Sequence, residues 1–540
     1  MHHTDKLSNL KFYLLSYLSI TLISLVFLYP SFYLAFSDDD WYTILLYKTG
    51  SRLGLFTPYG VQWRFFGVLY DFIGPTYYVY FIIAFILRSM AAFSILIFTY
   101  TFTKNRTLAI LGGVMFSVGF SGIQTTYEVV NMNVYMSIIG LIIFLRFFYL
   151  TRNSFSIKNL ILMEAFLFVT TLISPVRTYP IFAWALIVDV LWLLKNPTNG
   201  KLKSTLIRQS LLVFLFLFLS QIGTFQWRMT DNLSLQDSYL TRIGNYLSQN
   251  YEALINFDLT LISNLFTGIG SVILPNKDTL PPNFNTFIGV ICIIILITAS
   301  FLFLKRNRKD SFLFLDFLVW VPVFYVGYLI IITIDPALMP LVYSPARYFL
   351  PIYTGFVISF VFLAQVIIEK KSPRLKTILF SIAGLLILFH STNTYTYLRE
   401  LSKTRDGFYS KEVWTEIKTH VPKLNISSGK PSIFYFETEN SNRSLYTITG
   451  SGRQYVILYD IPQLPEPHIT PYAPMVFYKF EGLIEVLSGK FQGVDAKINP
   501  LEQPPWERIY AFRLEGDKLI DIKKDVKVRV EDALKTKDLE

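Results

Sequence analysis

Runs of about twenty consecutive apolar residues, each enough to carry one helix across a bilayer's hydrocarbon, recur along this chain and leave it little choice of solvent. The first run is Phe12 to Leu34, and others lie at approximately 77–101, 107–123, 133–150, 158–174 and 178–194. A later set covers approximately 206–226, 284–304, 311–334, 348–369 and 376–391. About eleven such runs in 540 residues, of which 52% are hydrophobic and only 16% charged, predict a polytopic α-helical membrane protein.

The net charge of +11 would suit a nucleic-acid partner if it were gathered into one patch. Instead the basic residues fall in short clusters between apolar runs, so the charge reports topology and no nucleic acid is expected. Lys104 and Arg106, then Arg146, Arg152 and Lys158, then Lys195, Lys201 and Lys203, then Lys305 to Lys309, then Lys370 to Lys376 lie in or beside alternate loops. By the positive-inside rule these face the cytoplasm. The N-terminus is then cytoplasmic, and the loops beginning at Ser37, Gln124, Pro175, Trp227 and Asp335 share the opposite compartment with the tail after Ser391. The first run follows basic residues as a signal peptide does, yet it is too long and no small-residue cleavage site follows it. It is read as an uncleaved span in the plasma (inner) membrane. The single cysteine, Cys292, lies within an apolar run and allows no intrachain disulfide, and no Cys/His array of the zinc type is present.

The loop from Trp41 to Gly74 mixes aromatic and aliphatic residues with Lys48, Arg52 and Arg64, which suits helices lying in the membrane interface. The loop from Trp227 to about Phe257 has the same character, and Leu261 to Leu274 is apolar but short, which predicts a re-entrant or interfacial helix. After Ser391 charge rises and Pro and Gly punctuate short runs of β-type residues. The expected division is a membrane domain over 1–395 and a soluble extracytoplasmic α/β domain over 396–540. Within the tail, Val413, Ile417 and Val421 predict an amphipathic helix at 408–421. Strands are predicted at Ser432 to Phe436, Gln454 to Tyr459, Met475 to Phe480 and Arg508 to Leu514, the last paired to Lys518 to Ile522 through Gly516-Asp517.

The first candidate site is Ser37-Asp38-Asp39-Asp40-Trp41-Tyr42, directly after the first span. An acidic side chain costs about 2.5–3.5 kcal/mol at the centre of a bilayer helix, so three in a row mark the wet edge. Carboxylates so close repel one another unless a cation or an Arg neutralises them, which suits a base or a metal site. Asp38 and Asp40 would then be ligands for Mg²⁺ or Mn²⁺. The competing reading is that the triplet halts the span and caps the next helix. The second candidate is Tyr343-Ser344-Pro345-Ala346-Arg347-Tyr348-Phe349-Leu350-Pro351. Arg347 there either offers a planar fork to a phosphate or anchors the interface beside Tyr343 and Tyr348. Glu128, with Asn131 and Asn133 nearby, is a second outer acid or ordinary loop polarity. Arg177 and Arg242 are further outer cations. Arg88, inside the second span, needs a partner, as a structural pair or as pocket lining. Glu164, Asp189 and Asp316 fall in the cytoplasmic halves of their spans and are expected to be paired or snorkelling, and His390 to be interfacial.

The order of these motifs resembles the GT-C superfamily of membrane glycosyltransferases, which includes the protein O-mannosyltransferase, lipid A aminoarabinose transferase and oligosaccharyltransferase groups. Asp39-Asp40-Trp41-Tyr42 resembles the family's acidic motif with a nearby Tyr, which implies Asp39 or its neighbour Asp38 as catalytic base. Glu128, in Thr126-Tyr127-Glu128-Val129, matches the second acidic position by location, and Arg347 to Pro351 resembles the late Arg-Tyr motif, implying contact with a lipid phosphate. The resemblance covers about the first 390 residues, and the third Asp leaves the register of the motif open. It implies an inverting transfer from a polyprenyl-phosphate sugar to a hydroxyl of a glycan, lipid or protein acceptor. One carboxylate takes the proton, and Arg347, Arg177 or Arg242 meets the departing phosphate. The alternative is a transporter, flippase or ligase of lipid-linked glycans. A transporter predicts mid-membrane charges in several spans and internal repeats, and the sequence offers little beyond Arg88.

Overall fold

The computed structural model describes residues 2–48, 60–196, 198–222, 225–227, 235–237, 248, 259–275, 282–305, 310–332, 346–369, 373–424, 432–438, 442–449, 451–461, 474–488 and 506–537. A helix stands at each apolar run read from the sequence. Among the described residues, seven are long and apolar enough to cross a membrane by length and composition: Leu10–Tyr33, Tyr77–Thr103, Val129–Asn153, Pro175–Lys195, Asn199–Ser220, Phe349–Glu369 and Pro373–Thr404. The first turns Leu14, Leu15, Leu18 and Leu22 outward, an arrangement that water penalises and lipid does not. The chain is an integral membrane protein built mostly of helices, with a small sheet near its C-terminus.

By contacts the chain forms two compact units. One comprises Met1–Tyr29, Leu53–Gln62 and Ile82–Tyr397, and the other Pro30–Arg52, Trp63–Phe81 and Leu398–Glu540.

Within the first unit, the run expected to span at 107–123 is cut short. The helix Arg106–Ser117 has only twelve residues, and Gly122 follows at φ +77°, a left-handed conformation that a side chain resists. Broken backbone inside an apolar bundle has to find partners within the protein, and several groups of this break find them in side chains. Arg88, fully buried, donates from Nε to the Ser117 carbonyl at 2.8 Å and from Nη2 to the Gly119 carbonyl. Thr394 Oγ1 donates to Val118 O at 3.0 Å, and Tyr353 OH to Met115 O at 2.9 Å. The Phe120 N–H donates to His390 Nδ1 at 3.1 Å, which leaves Nε2 to donate to Ile273 O at 2.9 Å. His390 is therefore a buried backbone clamp with a fixed neutral tautomer, not the interfacial side chain expected from sequence.

The helices Leu259–Ile273 and Pro282–Lys305 touch backbone to backbone. A Cβ on Gly270 would lie 1.9 Å from Asn285 O, and one on Gly289 would lie 1.8 Å from Phe266 O. Small residues permit this approach where lipid offers no hydrophobic drive for association. At fifteen residues the first of the pair rises about 22 Å, short of a hydrocarbon core of about 30 Å.

Asp189 and Asp316 are paired, as expected. Arg152 Nη1 meets Asp316 Oδ2 at 2.6 Å, and Arg208 donates twice to Asp189 Oδ2, at 2.6 and 2.9 Å. Gln209 adds a bond to Asp189 at 2.6 Å, and Tyr149 OH one to Asp316 at 3.0 Å. The four charged groups are buried and tie together the helices Asn133–Asn153, Pro180–Lys195, Asn199–Ile222 and Asp310–Ile332.

In the second unit, the tail carries a four-stranded sheet in the order Met475–Phe477, Ile433–Thr438, Ile509–Glu515, Lys518–Asp521. The first three strands run parallel, and the last returns antiparallel through Gly516 at φ +63°. The helix Gly407–His420 begins where Asp406 accepts from the Phe408 and Tyr409 N–H groups, both at 3.0 Å. The strand expected at Gln454 to Tyr459 is instead the helix Ser451–Leu458. A parallel pair needs a long crossover, and this helix with Asn442–Thr449 connects Ile433–Thr438 to its parallel neighbour Met475–Phe477. Tyr455 fills the core against Trp414 and Phe434, with ring centroids 4.5 and 4.7 Å away. Packing there overrides the β-type residues.

On this sheet Glu437 accepts from Arg513 at 3.2 Å and from Arg529. Burial pushes its carboxyl up, but bonds and charges from the two arginines outweigh burial and hold it below 4.5. The folded state therefore releases this proton more readily than the unfolded chain, and the stabilisation is complete only above the unfolded value. Unfolding of the tail monitored against pH is expected to show stability falling from about 4.5 downward, with the Glu437→Gln protein showing a shallower fall.

Candidate functional site

Two groups of the predicted residues can be built up separately, one in each unit. In the second, Ser37 opens the helix Asp38–Lys48 with a capping box. Ser37 Oγ accepts from the Asp40 N–H at 3.2 Å, while Asp40 Oδ2 accepts from Ser37 N at 2.7 Å and from Ser37 Oγ at 2.8 Å. Asp40 is fully buried and its carboxylate closes the turn. Asp39 is half-buried and Asp38 exposed. All three acids sit in the first turn of the helix, at the positive end of its dipole. Behind them Trp41 is buried among Phe36, Tyr70 and Tyr77, with ring centroids 5.2, 6.4 and 6.3 Å away. Burial, with Asp460 and Asp71 nearby, pushes the Tyr70 phenol up to about 12, so this wall stays uncharged.

The tail holds this helix in place. The Ala35 N–H donates to Arg405 O and Arg405 Nη2 to Ala35 O, both at 2.8 Å, and Tyr446 OH donates to Phe36 O at 3.0 Å. Leu45 packs on the tail's core, and Lys48 reaches Asp460 at 3.8 Å.

Asp38 and Asp40, the divalent ligands suggested by the sequence, lie in the first turn of this helix. Two residues apart on one helix, they do not face each other, and Asp40 is turned into its own cap. Among the described residues no group of three or more His, Cys, Asp or Glu side chains is arranged to hold a metal ion.

In the first unit, Glu128 is a hub. Its Oε2 accepts from Gln124 Nε2 at 2.8 Å, Asn131 Nδ2 at 3.1 Å and Arg347 Nη1 at 3.2 Å. The Arg347 N–H also donates to Gln124 Oε1 at 2.9 Å. Backbone and side chain of Arg347 are thus both gripped by Gln124 and Glu128, which lie four residues apart. Asn131 Oδ1 in turn accepts from Gln62 Nε2 and Arg177 Nη2, each at 3.3 Å. The Tyr348 ring carries the Arg177 guanidinium at 5.2 Å and that of Arg347 at 5.4 Å. Arg177 is buried and its carbonyl accepts from Tyr328 OH at 2.9 Å, whereas Arg347 and Glu128 keep 19% and 14% of their side chains exposed. The cluster is fixed at its back and open at its front.

Glu128, Arg347, Arg177 and Tyr348 come together in this cluster. Gln62 and Gln124 escaped the reading of the sequence, although Gln124 stands one helical turn before Glu128 and that spacing was the available signal. Arg88 has a different use: besides its carbonyl bonds it donates to Thr126 Oγ1 at 2.7 Å and Tyr135 OH at 3.2 Å. It fastens the broken helix, so its forks are spent on the fold rather than on a ligand. Arg242 lies outside the described residues.

No protein-family model matches this sequence, and no curated protein matches it. Solved structures of one archaeal enzyme do align with it. The oligosaccharyltransferase of Archaeoglobus fulgidus in complex with zinc and sulfate matches with 12% identity and a TM-score of 0.49, over 92% of this chain and 67% of that one. The same enzyme with an inhibitory peptide and a dolichol-phosphate matches with 11% identity and a TM-score of 0.45, over 93% and 69%. Tethered to an acceptor peptide containing the NVT sequon, it matches with 12% identity and a TM-score of 0.45, over 81% of this chain. In that last comparison the chain spans 63% of the oligosaccharyltransferase's length.

Proposed function

We propose that this protein is an inverting glycosyltransferase, moving a sugar from a polyprenyl-phosphate-linked donor to an acceptor hydroxyl on the extracytoplasmic face of the plasma membrane. The observation that carries the reading is the pair of guanidiniums held at the Tyr348 ring, 5.2 and 5.4 Å from its centre. Glu128 meets the charge of Arg347 from one side, and two guanidiniums brought to one ring suit an anionic ligand. A phosphate suits them because each planar fork matches two of its oxygens. The grip of Gln124 and Glu128 on Arg347 sets the charge in advance, so little reorganisation is needed when the phosphate leaves. The surrounding apolar helices suit the polyprenyl tail.

In the reaction the acceptor oxygen bonds to the anomeric carbon from the face opposite the phosphate. The bond from that carbon to the phosphate oxygen breaks, and polyprenyl phosphate departs with the electron pair. The acceptor proton goes to a carboxylate, and Asp39 is assigned to it. Asp40 holds the turn that presents Asp39, and Glu128 holds Arg347.

Equilibrium binding of polyprenyl phosphate to the purified full chain tests the phosphate role. Loss of one charged hydrogen-bonding group costs about 1.5–3 kcal/mol, so Arg347→Ala is expected to weaken binding roughly 10- to 100-fold. Arg347→Lys is expected to recover part of the loss, because it restores the charge without the fork. Unchanged affinity in Arg347→Ala would remove the phosphate assignment.

A further inference from the structure

A second feature of the tail-containing unit is independent of the reaction. A cleft opens between three pieces of chain, lined by Phe32 and Leu34, by Pro75 and Tyr78, and by Phe408 and Lys411. Phe32 belongs to the last turn of the first apolar span, Leu10–Tyr33, and Leu34 follows directly after it. Tyr78 belongs to the first turn of the next, Tyr77–Thr103. The end of one span and the start of the next in the chain emerge at the same face of a bilayer, so a cleft walled by both lies at the level of the lipid headgroups. Its lining has the chemistry of that level. Tyr78 and Phe408 are exposed by 48% and 55%, and Tyr33, next to Phe32 in the chain, packs on Phe408 with ring centroids 5.9 Å apart. Aromatic rings of this kind favour the interface, where an apolar body and a polar tip are both satisfied. The third wall is the N-terminal end of the helix Gly407–His420, and it supplies the exposed cation Lys411. No ion pair involves Lys411 among the described residues.

We propose that this cleft binds an anionic phospholipid of the surrounding bilayer, with the glycerol end of an acyl chain against Phe32, Tyr78 and Phe408 and the phosphate against Lys411. The helix that opens the tail domain is then seated on lipid. Its occupant is a bilayer phospholipid and not the sugar donor, because the aromatic walls come from the ends of spans facing the headgroups and the site does not use Arg347 or Arg177.

Cys292 is the only cysteine, so a fluorophore can be placed at Thr415→Cys in a Cys292→Ser background, one helical turn from Lys411. The full chain is reconstituted in phosphatidylcholine vesicles containing a small fraction of nitroxide-bearing phosphatidylglycerol or nitroxide-bearing phosphatidylcholine. One Lys near the surface contributes about 1 kcal/mol toward an anionic lipid, so quenching by phosphatidylglycerol is expected at about fivefold lower mole fraction than by phosphatidylcholine. Lys411→Gln is expected to bring the two lipids to equality and leave quenching by phosphatidylcholine as it was. Three outcomes overturn the proposal. They are equal quenching by the two lipids with Lys411 present, a preference that survives Lys411→Gln, and displacement of the labelled phosphatidylglycerol by polyprenyl phosphate. The last would assign the cleft to the donor. Failure here leaves the transferase reading intact, since neither Lys411 nor Phe408 enters the reaction.

Discussion

Asp39→Asn is expected to lower the turnover of sugar transfer by about 10²- to 10⁴-fold, the usual contribution of a positioned general base, while leaving donor affinity close to that of the unaltered protein. The change removes the proton acceptor, and Asn keeps the size of the side chain at a half-buried position. The neighbouring acids separate the chemical role from the structural one. Asp40 is buried and makes both side-chain bonds to Ser37, so Asp40→Ala is expected to cost about 1–2 kcal/mol as a lost cap and to lower thermal stability along with activity. Asp39→Asn should lower activity far more than it lowers the melting temperature. Kinetics and unfolding measured on the same preparations distinguish the two. Full activity in Asp39→Asn, with loss confined to Asp38→Asn, would move the base by one residue.

The largest effect on stability is expected at the buried charges of the helical unit. Asp189→Ala removes the acceptor of both Arg208 bonds and of the Gln209 bond and leaves a fully buried guanidinium without its counter-charge. Breaking one side of a buried pair costs about 3–5 kcal/mol. The double change Asp189→Leu with Arg208→Met removes both charges and fills similar volume. It is expected to recover most of that loss, because well-packed apolar groups replace a buried pair at little net cost. Thermal unfolding of the detergent-solubilised chain measures both. Additive losses in the double variant would mean that the two residues act through other partners.

How much of this was legible in the sequence follows from which physical signals are local. Each apolar run became a helix because length and apolarity alone dictate it, and the acidic turn fell where three carboxylates have to meet water. The end of the third run at Ser117 was not legible. Nothing between Val118 and Ile123 forbids a helix except two glycines, and the partners that stabilise the break come from Arg88, Tyr353, His390 and Thr394, distant in the chain. The same distance explains the misreading of His390. The Gln454 to Tyr459 run illustrates the converse. Its residues read locally as a strand, and the helix there depends on strand order and on the Trp414 and Phe434 rings. In the candidate site, Glu128 and Arg347 stood out by charge, while Gln62, Gln124 and Asn131, which join them, carry no charge and looked like ordinary polarity. The sequence offered a helix cap as one reading of the acidic triplet, and Asp40 makes that cap with Ser37.

The most direct test of the central claim is a transfer measurement on the purified full chain in vesicles, supplied with a polyprenyl-phosphate sugar labelled in the sugar and with candidate hydroxyl acceptors. The account predicts that label appears on an acceptor with the opposite anomeric configuration from the donor, that one polyprenyl phosphate is released for each sugar moved, and that both signals vanish in Asp39→Asn. Movement of the intact lipid-linked sugar between leaflets, without release of polyprenyl phosphate, would contradict it.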